Sequence, residues 1–119
     1  MKVVATDRAL DFIQDRGGAV WVWLWPKRGP VSGWFELEAH CEPPGTSRKT
    51  KFTQASRRVH QFKQVESQAI TVHYDFGRMD EPAELHLDRK GLRKRTRRIE
   101  AFWNGSIFVD AGLPPPSES

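Results

Sequence analysis

The sequence predicts the α+β fold class, with one N-terminal helix packed on a mostly antiparallel, strand-rich single domain. Residues 7–16 have the apolar periodicity of a helix, whereas residues 19–25 and 34–41 have the patterns of strands. The length of 119 residues, 38% of them hydrophobic, suits a single core. We therefore expect one domain over residues 1–110 and a disordered tail rich in Pro and Ser over residues 111–119.

The helix and the strand after it have clear boundary signals. Thr6 is a suitable N-cap, and Gly17 and Gly18 stand directly after the last helical turn. Residues 19–25 are β-branched and aromatic without a polar side chain, which predicts a central strand covered on both faces. We expect Pro26 to end this strand.

Three tryptophans, Trp21, Trp23 and Trp25, share one face of this strand because side chains alternate with period two. Core packing is the favoured role for them. An exposed ladder of tryptophans would instead form a binding platform for a sugar or a partner.

Further strand signals follow, with one ambiguous stretch. Residues 34–41 alternate and predict a half-exposed partner strand, with Cys41 on its inward face. Residues 50–66 have a helix-like spacing of apolar residues, although a strand is also compatible with it. Residues 70–76 alternate and predict a strand closed by Gly77.

The C-terminal third predicts two more features. Residues 84–88 alternate over a short distance, which predicts a brief edge strand. Asn104-Gly105 stands between two aromatic and β-branched runs within residues 99–109. Since both central positions of a type I′ turn need positive φ, this pair predicts a hairpin.

A basic run dominates the charge of the chain. Seven of the 19 basic residues lie within ten positions that contain no acid: Arg89, Lys90, Arg93, Lys94, Arg95, Arg97 and Arg98. The rest of the chain carries 12 basic and 15 acidic residues, so the net charge of +4 comes from this run. Any attraction to phosphate groups should therefore be local to it.

The basic run has two interpretations. In an extended chain, Arg93, Arg95 and Arg97 would share one face. Lys94 and Arg98 would share the other. Such an arrangement could bind the phosphates of single-stranded or A-form nucleic acid, whereas the alternative is a solvated loop and strand end.

Two aromatic residues, Phe102 and Trp103, follow the basic run closely in sequence. They could stack on nucleic-acid bases, because an aromatic ring accepts any base. This pairing of cations and aromatics is the basis for predicting a nucleic-acid-binding module.

Metal-binding and catalytic patterns are weak. His40 and Cys41 are adjacent on a predicted strand, so their side chains point to opposite faces and cannot easily share an ion. Pairs of His and Asp at 73 and 75, and at 86 and 88, have a permissive but unspecific spacing. No nucleophile, acid and base converge by motif. We therefore predict no catalytic, metal or cofactor-binding residues, no cofactor and no enzymatic activity.

The chain shows no signal for a membrane or a disulfide framework. Its longest apolar run, residues 19–26, is far shorter than the roughly 20 residues of a membrane span. A single cysteine excludes an intramolecular disulfide. We expect a cytoplasmic protein without membrane contact.

The signals follow a distinctive order along the chain. The N-terminal part has Thr6-x-x-Ala9, an apolar helix to Ile13, Gly17-Gly18, a strand and a turn that ends in Ser32-Gly33. The rest has a second strand, a Pro-rich loop after Glu42, a strand at 70–74, and a C-terminal aromatic and glycine segment. Over residues 3 to 109 this order resembles the HesB/IscA-like A-type iron–sulfur carrier family. The resemblance implies the fold of that family and a homodimer.

The family's cluster ligands are replaced in this sequence. The family uses a Cys in a Gly-Cys-Ser-Gly turn and a C-terminal Cys-Gly-Cys pair. Here the turn has Val31 in the ligand position, residues 102–106 contain no thiol, and Cys41 matches no family ligand. Because thiolates hold such clusters, and Val, Phe, Asn and Ser offer no substitute, the resemblance implies a divergent member without direct cluster ligation.

Two functions are therefore expected from the sequence. The first is a non-enzymatic accessory or interaction protein, around iron–sulfur cluster assembly, that binds a protein partner. The alternative is a small basic module that binds nucleic acid through residues 89–98.

Overall fold

A computed structural model describes residues 1–28, 33–46, 61–77, 79–103 and 108–110. Within them lie one helix and eight strands. The strands form two sheets, and four of the six strand pairings are antiparallel. In chain order the elements are β1 (Lys2–Ala5), α1 (Asp7–Asp15), β2 (Ala19–Arg28), β3 (Gly33–His40), β4 (Lys63–Ser67), β5 (Ile70–Asp75), β6 (Glu84–Lys90), β7 (Arg98–Trp103) and β8 (Phe108–Asp110). The predicted α+β class is confirmed.

The two sheets have simple strand orders. The smaller sheet runs β1-β6-β7, with β1 parallel and β7 antiparallel to β6. The larger sheet runs β4-β5-β2-β3-β8, and only its β2–β5 pair is parallel. β2 therefore lies at the centre of the larger sheet, as predicted.

One hydrophobic core joins both sheets and the helix. Ala9 and Ile13 of α1 are fully buried in it, together with Val20 and Val22 of β2. The alternation in β5 and β6 places their apolar side chains in the same core and their polar side chains outside. Burying one face of each element in this way positions α1 against β6.

The ends of α1 follow the predicted signals. The Thr6 Oγ1 accepts a hydrogen bond of 3.2 Å from the Ala9 N–H, so Thr6 is the N-cap. The helix ends at Asp15, one residue before the predicted end. The Gly18 N–H then donates to the Ile13 carbonyl at 2.9 Å, which satisfies one of the terminal carbonyls.

The prediction of an edge strand over residues 84–88 is wrong. β6 is longer and lies between β1 and β7, in the centre of the smaller sheet. Its second neighbour, β1, is a four-residue strand that the sequence analysis did not predict. A short segment at the start of a chain carries too few residues to show a period.

The predicted end of β2 at Pro26 is also wrong, because the strand continues to Arg28. Pairing with β5 stops at Trp23, whereas pairing with β3 continues to Arg28. Beyond Trp23, no other described strand pairs with this side of β2, so the strand is an edge there among the described residues. A proline without an N–H is tolerated at such an edge.

The predicted hairpin between residues 99 and 109 is wrong as well. β7 pairs with β6 and β8 pairs with β3, so the flanking strands belong to different sheets. Asn104-Gly105 itself lies outside the described residues. The two-residue hairpin observed instead joins β4 and β5 through Gln68 and Ala69, whose φ angles are 54° and 67°.

Several other predictions have a partial outcome. The ambiguous stretch contains β4, whereas its residues 50–60 lie outside the described part of the chain. The predicted tail over residues 111–119 lies outside it too. No helix among the described residues is long and apolar enough to cross a membrane.

The β6–β7 loop (residues 91–97) is a tight connection fixed by a glycine. Gly91 has a φ of +99°, and a Cβ built on it would lie 2.2 Å from the Thr96 carbonyl oxygen. The Thr96 N–H donates to the Arg93 carbonyl at 2.9 Å, which closes the turn. Only glycine fits this close approach of two backbone segments.

We expect Gly91→Ala to destabilise the protein by about 3 kcal/mol, because the side chain would meet both a left-handed conformation and a backbone clash. The matched control is Gly77→Ala, since Gly77 has a φ of +60° but open space around it. Its expected loss is about 1 kcal/mol. Urea denaturation measures both values, and equal losses would contradict the close packing of the loop.

Candidate functional site

The basic run forms the end of β6, the β6–β7 loop and the start of β7. Arg89 and Lys90 close β6, and Arg98 opens β7. The chain reverses direction between them. The extended conformation considered for this run is therefore wrong, and its two predicted faces do not exist. The alternative of a loop with strand ends describes its conformation.

The loop faces α1 across two cavities. The smaller, of about 170 Å³, has a mostly charged lining of Arg8, Asp11, Phe12, Asp15, Arg16, Arg89, Lys94 and Arg97. The larger, of about 200 Å³, is lined by Phe12, Arg16, Arg97, Arg98, Ile99, the last two residues of β3 and residues 41–43 after it. Phe12, Arg16 and Arg97 line both cavities, so the two cavities adjoin. We name them together the basic groove.

The groove concentrates positive charge. Of the described residues, its lining contains three carboxylates and six cations. The carboxylates are Asp11, Asp15 and Glu42, and the cations are Arg8, Arg16, Arg89, Lys94, Arg97 and Arg98. A concave surface with an excess of one sign focuses the electric field and raises the local concentration of anions.

Asp88 ties the two walls of the groove together. Its carboxylate accepts hydrogen bonds from the Arg8 Nε and Nη2, each at 2.8 Å, and from the Thr6 Oγ1 at 2.7 Å. The Arg89 N–H donates to it at 2.8 Å. These bonds to the charged form, that from Arg8 foremost, hold the pKa of Asp88 well below its usual range.

The remaining cations differ in how they are paired. Lys90 pairs with Asp88 at 3.4 Å, and Arg98 pairs with Glu100 at 3.0 Å. Among the described residues, no carboxylate pairs with the loop cations Arg93, Lys94, Arg95 and Arg97. The loop therefore presents cations that an external anion can engage.

The aromatic component of the site is not the predicted one. Trp103 is buried in the core against Phe76, at 4.9 Å between ring centroids, so it cannot stack on a base. Phe102 lies on the outer face of the smaller sheet, with the Lys90 ammonium 5.5 Å from its ring. The aromatic residue of the groove is Phe12, and the Arg16 guanidinium lies 3.6 Å over its ring.

Cys41 has the environment of an unreactive thiol. It is half-buried at the end of β3 and lines the larger cavity. Burial raises the pKa of Cys41 to about 11, which the prediction of an inward, apolar position anticipated. The neighbouring His40 turns to the other sheet face, where it stacks on Trp23 at 5.1 Å and contacts Glu38 at 3.2 Å.

The other two described histidines, His73 and His86, have partners outside the groove. His86 lies 3.1 Å from the Glu84 carboxylate, while Asp88 is engaged by Arg8. His73 stacks on Trp21 at 4.6 Å, and burial lowers the pKa of His73. The described part of the chain contains no group of three or more His, Cys, Asp or Glu side chains placed to hold a metal ion.

The tryptophans of β2 lie on the outer face of the larger sheet. Trp23 is only 2% exposed, whereas Trp21 and Trp25 are half-buried. Their strand neighbours Val20 and Val22 occupy the core face. Burial of Trp23 agrees with the favoured packing role, although the three side chains point away from the main core.

The positions that correspond to family cluster ligands lie mostly outside the described residues. Val31 and residues 104–106 lie outside the described part of the chain, and Phe102 and Trp103 belong to β7. Comparisons with protein-family models, with curated proteins and with solved structures returned no match.

The wall that α1 contributes was not predicted from the sequence. Arg8, Phe12 and Arg16 recur every four residues, which places them along one side of a helix. This spacing is present in the sequence, but only the apolar periodicity of residues 7–16 entered the prediction. The position of this helix opposite the basic run depends on tertiary packing, so no local sequence pattern predicts it.

We expect Asp88→Asn to lower the free energy of unfolding at pH 7 by about 1–3 kcal/mol, because it removes hydrogen bonds to a charged acceptor. The folded-state pKa lies below the unfolded value of about 3.9, so the stabilisation is complete above that value. It is lost as the pH falls towards the folded-state pKa.

Urea unfolding from pH 8 to pH 3 measures this difference, with Asp11→Asn as the control for loss of one exposed carboxylate from α1. The control should change stability by a few tenths of a kcal/mol at pH 7. A difference between wild type and Asp88→Asn that grows as the pH falls would contradict the assigned role of Asp88.

Proposed function

We propose that this protein is a non-enzymatic module that binds single-stranded nucleic acid along the basic groove. The observation that carries the proposal is the convergence of α1 and the β6–β7 loop on two adjoining cavities, which six cations of the described residues line. Phosphate neutralisation by Lys and Arg supplies most of the affinity of such modules, independently of sequence.

The unpaired loop cations support a phosphate ligand. Lys94 and Arg97 line the groove and form no ion pair with a described carboxylate. An external phosphate therefore does not have to displace an internal partner. Arg97 borders both cavities, so it can contact phosphates seated in either one.

The stacked pair of Phe12 and Arg16 at the centre of the groove favours a single-stranded ligand. The Arg16 guanidinium over the Phe12 ring presents a flat cationic surface, on which an unstacked base can lie. Cavities of about 170 and 200 Å³ suit individual phosphates and rings. A duplex, whose bases are already stacked, offers no free ring to this surface.

The accessory role around iron–sulfur cluster assembly stays a prediction, as do a protein partner and a homodimer. The accessory role rests on the order of the sequence signals and on the replacement of the family's cluster ligands. Anaerobically purified protein that absorbs near 400 nm and contains stoichiometric iron would contradict the predicted loss of cluster ligation.

The double variant Lys94→Gln/Arg97→Gln should weaken binding of a single-stranded RNA by about tenfold or more at low salt. It removes two cations that line the groove. The slope of log K against log salt should shrink by about 1.4, since each lost single-strand contact contributes about 0.7. Fluorescence anisotropy at several salt concentrations measures both quantities.

The matched control is Arg93→Gln/Arg95→Gln, which removes the same charge from the same loop but from residues that line neither cavity. We expect it to weaken binding by about threefold or less, as a long-range effect only. Each substitution in either variant should change stability by no more than a few tenths of a kcal/mol, because all four side chains are exposed.

Equal losses in the two variants would show that the groove is not the binding surface.

Leu92, in the β6–β7 loop, is 97% exposed and allows a second test, for binding to a membrane surface. Binding to vesicles with anionic headgroups that is stronger than RNA binding and is lost in Leu92→Ser would identify a membrane surface as the ligand and overturn the proposal.

A further inference from the structure

Arg89 sits at the inner end of the smaller cavity. It pairs with Ile99 in the β6–β7 register and shares the inward face of β6 with Leu85 and Leu87. Its position therefore continues the row of core residues along β6 beyond Leu87. Its side chain lines the cavity, together with Lys94 and Arg97 of the β6–β7 loop.

The Arg89 Nε is buried and has no hydrogen-bond partner among the described residues. A buried donor on a charged group without an acceptor is costly, so such a group in a folded protein calls for an explanation. An anion seated in the cavity would supply the missing acceptor. Arginine is suited to this role because its planar fork matches two oxygens of a phosphate.

The charge of the cavity matches a doubly charged anion. Arg8 is engaged on Asp88 through two hydrogen bonds of 2.8 Å. The other four cations of the lining, Arg16, Arg89, Lys94 and Arg97, stand against two carboxylates, Asp11 and Asp15. The excess of two positive charges fits a phosphate monoester, which carries about −1.5 to −2 at pH 7, better than a diester with −1.

We propose that the smaller cavity is a pocket for a terminal phosphate monoester, with Arg89 as the residue at its base. The inference rests on the proposed function, because it places one end of the bound strand in this cavity. A terminal phosphate has a single ester link, so it can approach the buried Arg89 Nε with the chain leaving on one side only. An internal phosphodiester has two links, so both flanking nucleotides would have to fit beside the same buried atom.

The experiment compares single-stranded RNAs of one sequence, about 10 nucleotides long, that carry a hydroxyl or a phosphate at one end and a dye at the other. Both polarities are made. Fluorescence anisotropy gives the Kd of each at low salt. We expect phosphorylation of one end to tighten binding by about tenfold, the effect of added charged hydrogen bonds.

Arg89→Lys keeps the charge but lacks the planar fork, and it should reduce the preference for the phosphorylated end to less than about twofold. Arg95→Lys is the matched control and should retain the preference, because Arg95 lines neither cavity. Thermal unfolding verifies that both variants fold. Lys94→Gln, at an exposed position of the same lining, is a second variant that should lower the preference.

The outcomes separate the two proposals. Salt-dependent binding with equal Kd for hydroxyl and phosphate ends would overturn the pocket and leave the proposed function standing. A preference that survives in Arg89→Lys would also overturn the assignment. No binding of any RNA at low salt would overturn the proposed function itself.

Inorganic phosphate and a nucleoside monophosphate, added as competitors, distinguish the source of the phosphate. We expect either to displace the phosphorylated RNA only at concentrations far above its Kd, because the strand contributes further contacts. A monophosphate that binds as tightly as the whole RNA would identify a free nucleotide as the ligand and would overturn the terminal-phosphate proposal.

Discussion

The carboxylate of Asp88 is the constraint on which the functional surface depends. It accepts a hydrogen bond from Thr6, the N-cap of α1, and one from the Arg89 N–H at the end of β6. It also accepts two hydrogen bonds of 2.8 Å from Arg8. Its side chain is only 15% exposed, so these bonds are partly shielded from water. Burial of Ala9 and Ile13 holds α1 on the core, and Asp88 ties the start of α1 to β6, the strand that leads into the β6–β7 loop.

Charge is distributed unevenly around that anchor. Lys90 and Arg98, at the strand ends, have acidic partners, whereas Lys94 and Arg97, in the loop, have none among the described residues. Unpaired like charges on a tight loop repel one another, and such an arrangement contributes nothing to folding. A local conflict of this kind, on a loop closed by Gly91, is typical of a surface kept for a ligand.

Secondary structure is predicted correctly from the sequence wherever a periodic or capping pattern is long enough. The limits of α1 follow from Thr6 and the glycines, and the buried alternation of β5 from its β-branched residues. Pairing partners depend on contacts between distant segments, so the Asn104-Gly105 signal predicted a wrong hairpin. The basic run was evident in the sequence, but its partner wall was not, because the approach of Phe12 and Arg16 is set by tertiary packing.

The most direct test of the account is an NMR titration of the ¹⁵N-labelled protein with a short single-stranded RNA at low salt. If the groove is the binding surface, amide shifts will concentrate in α1 and the β6–β7 loop. The amides of β4 and β5, at the far edge of the larger sheet, will then stay unchanged. Shifts centred on β4 and β5, beside the outer face that carries Trp21 and His73, would contradict the central claim.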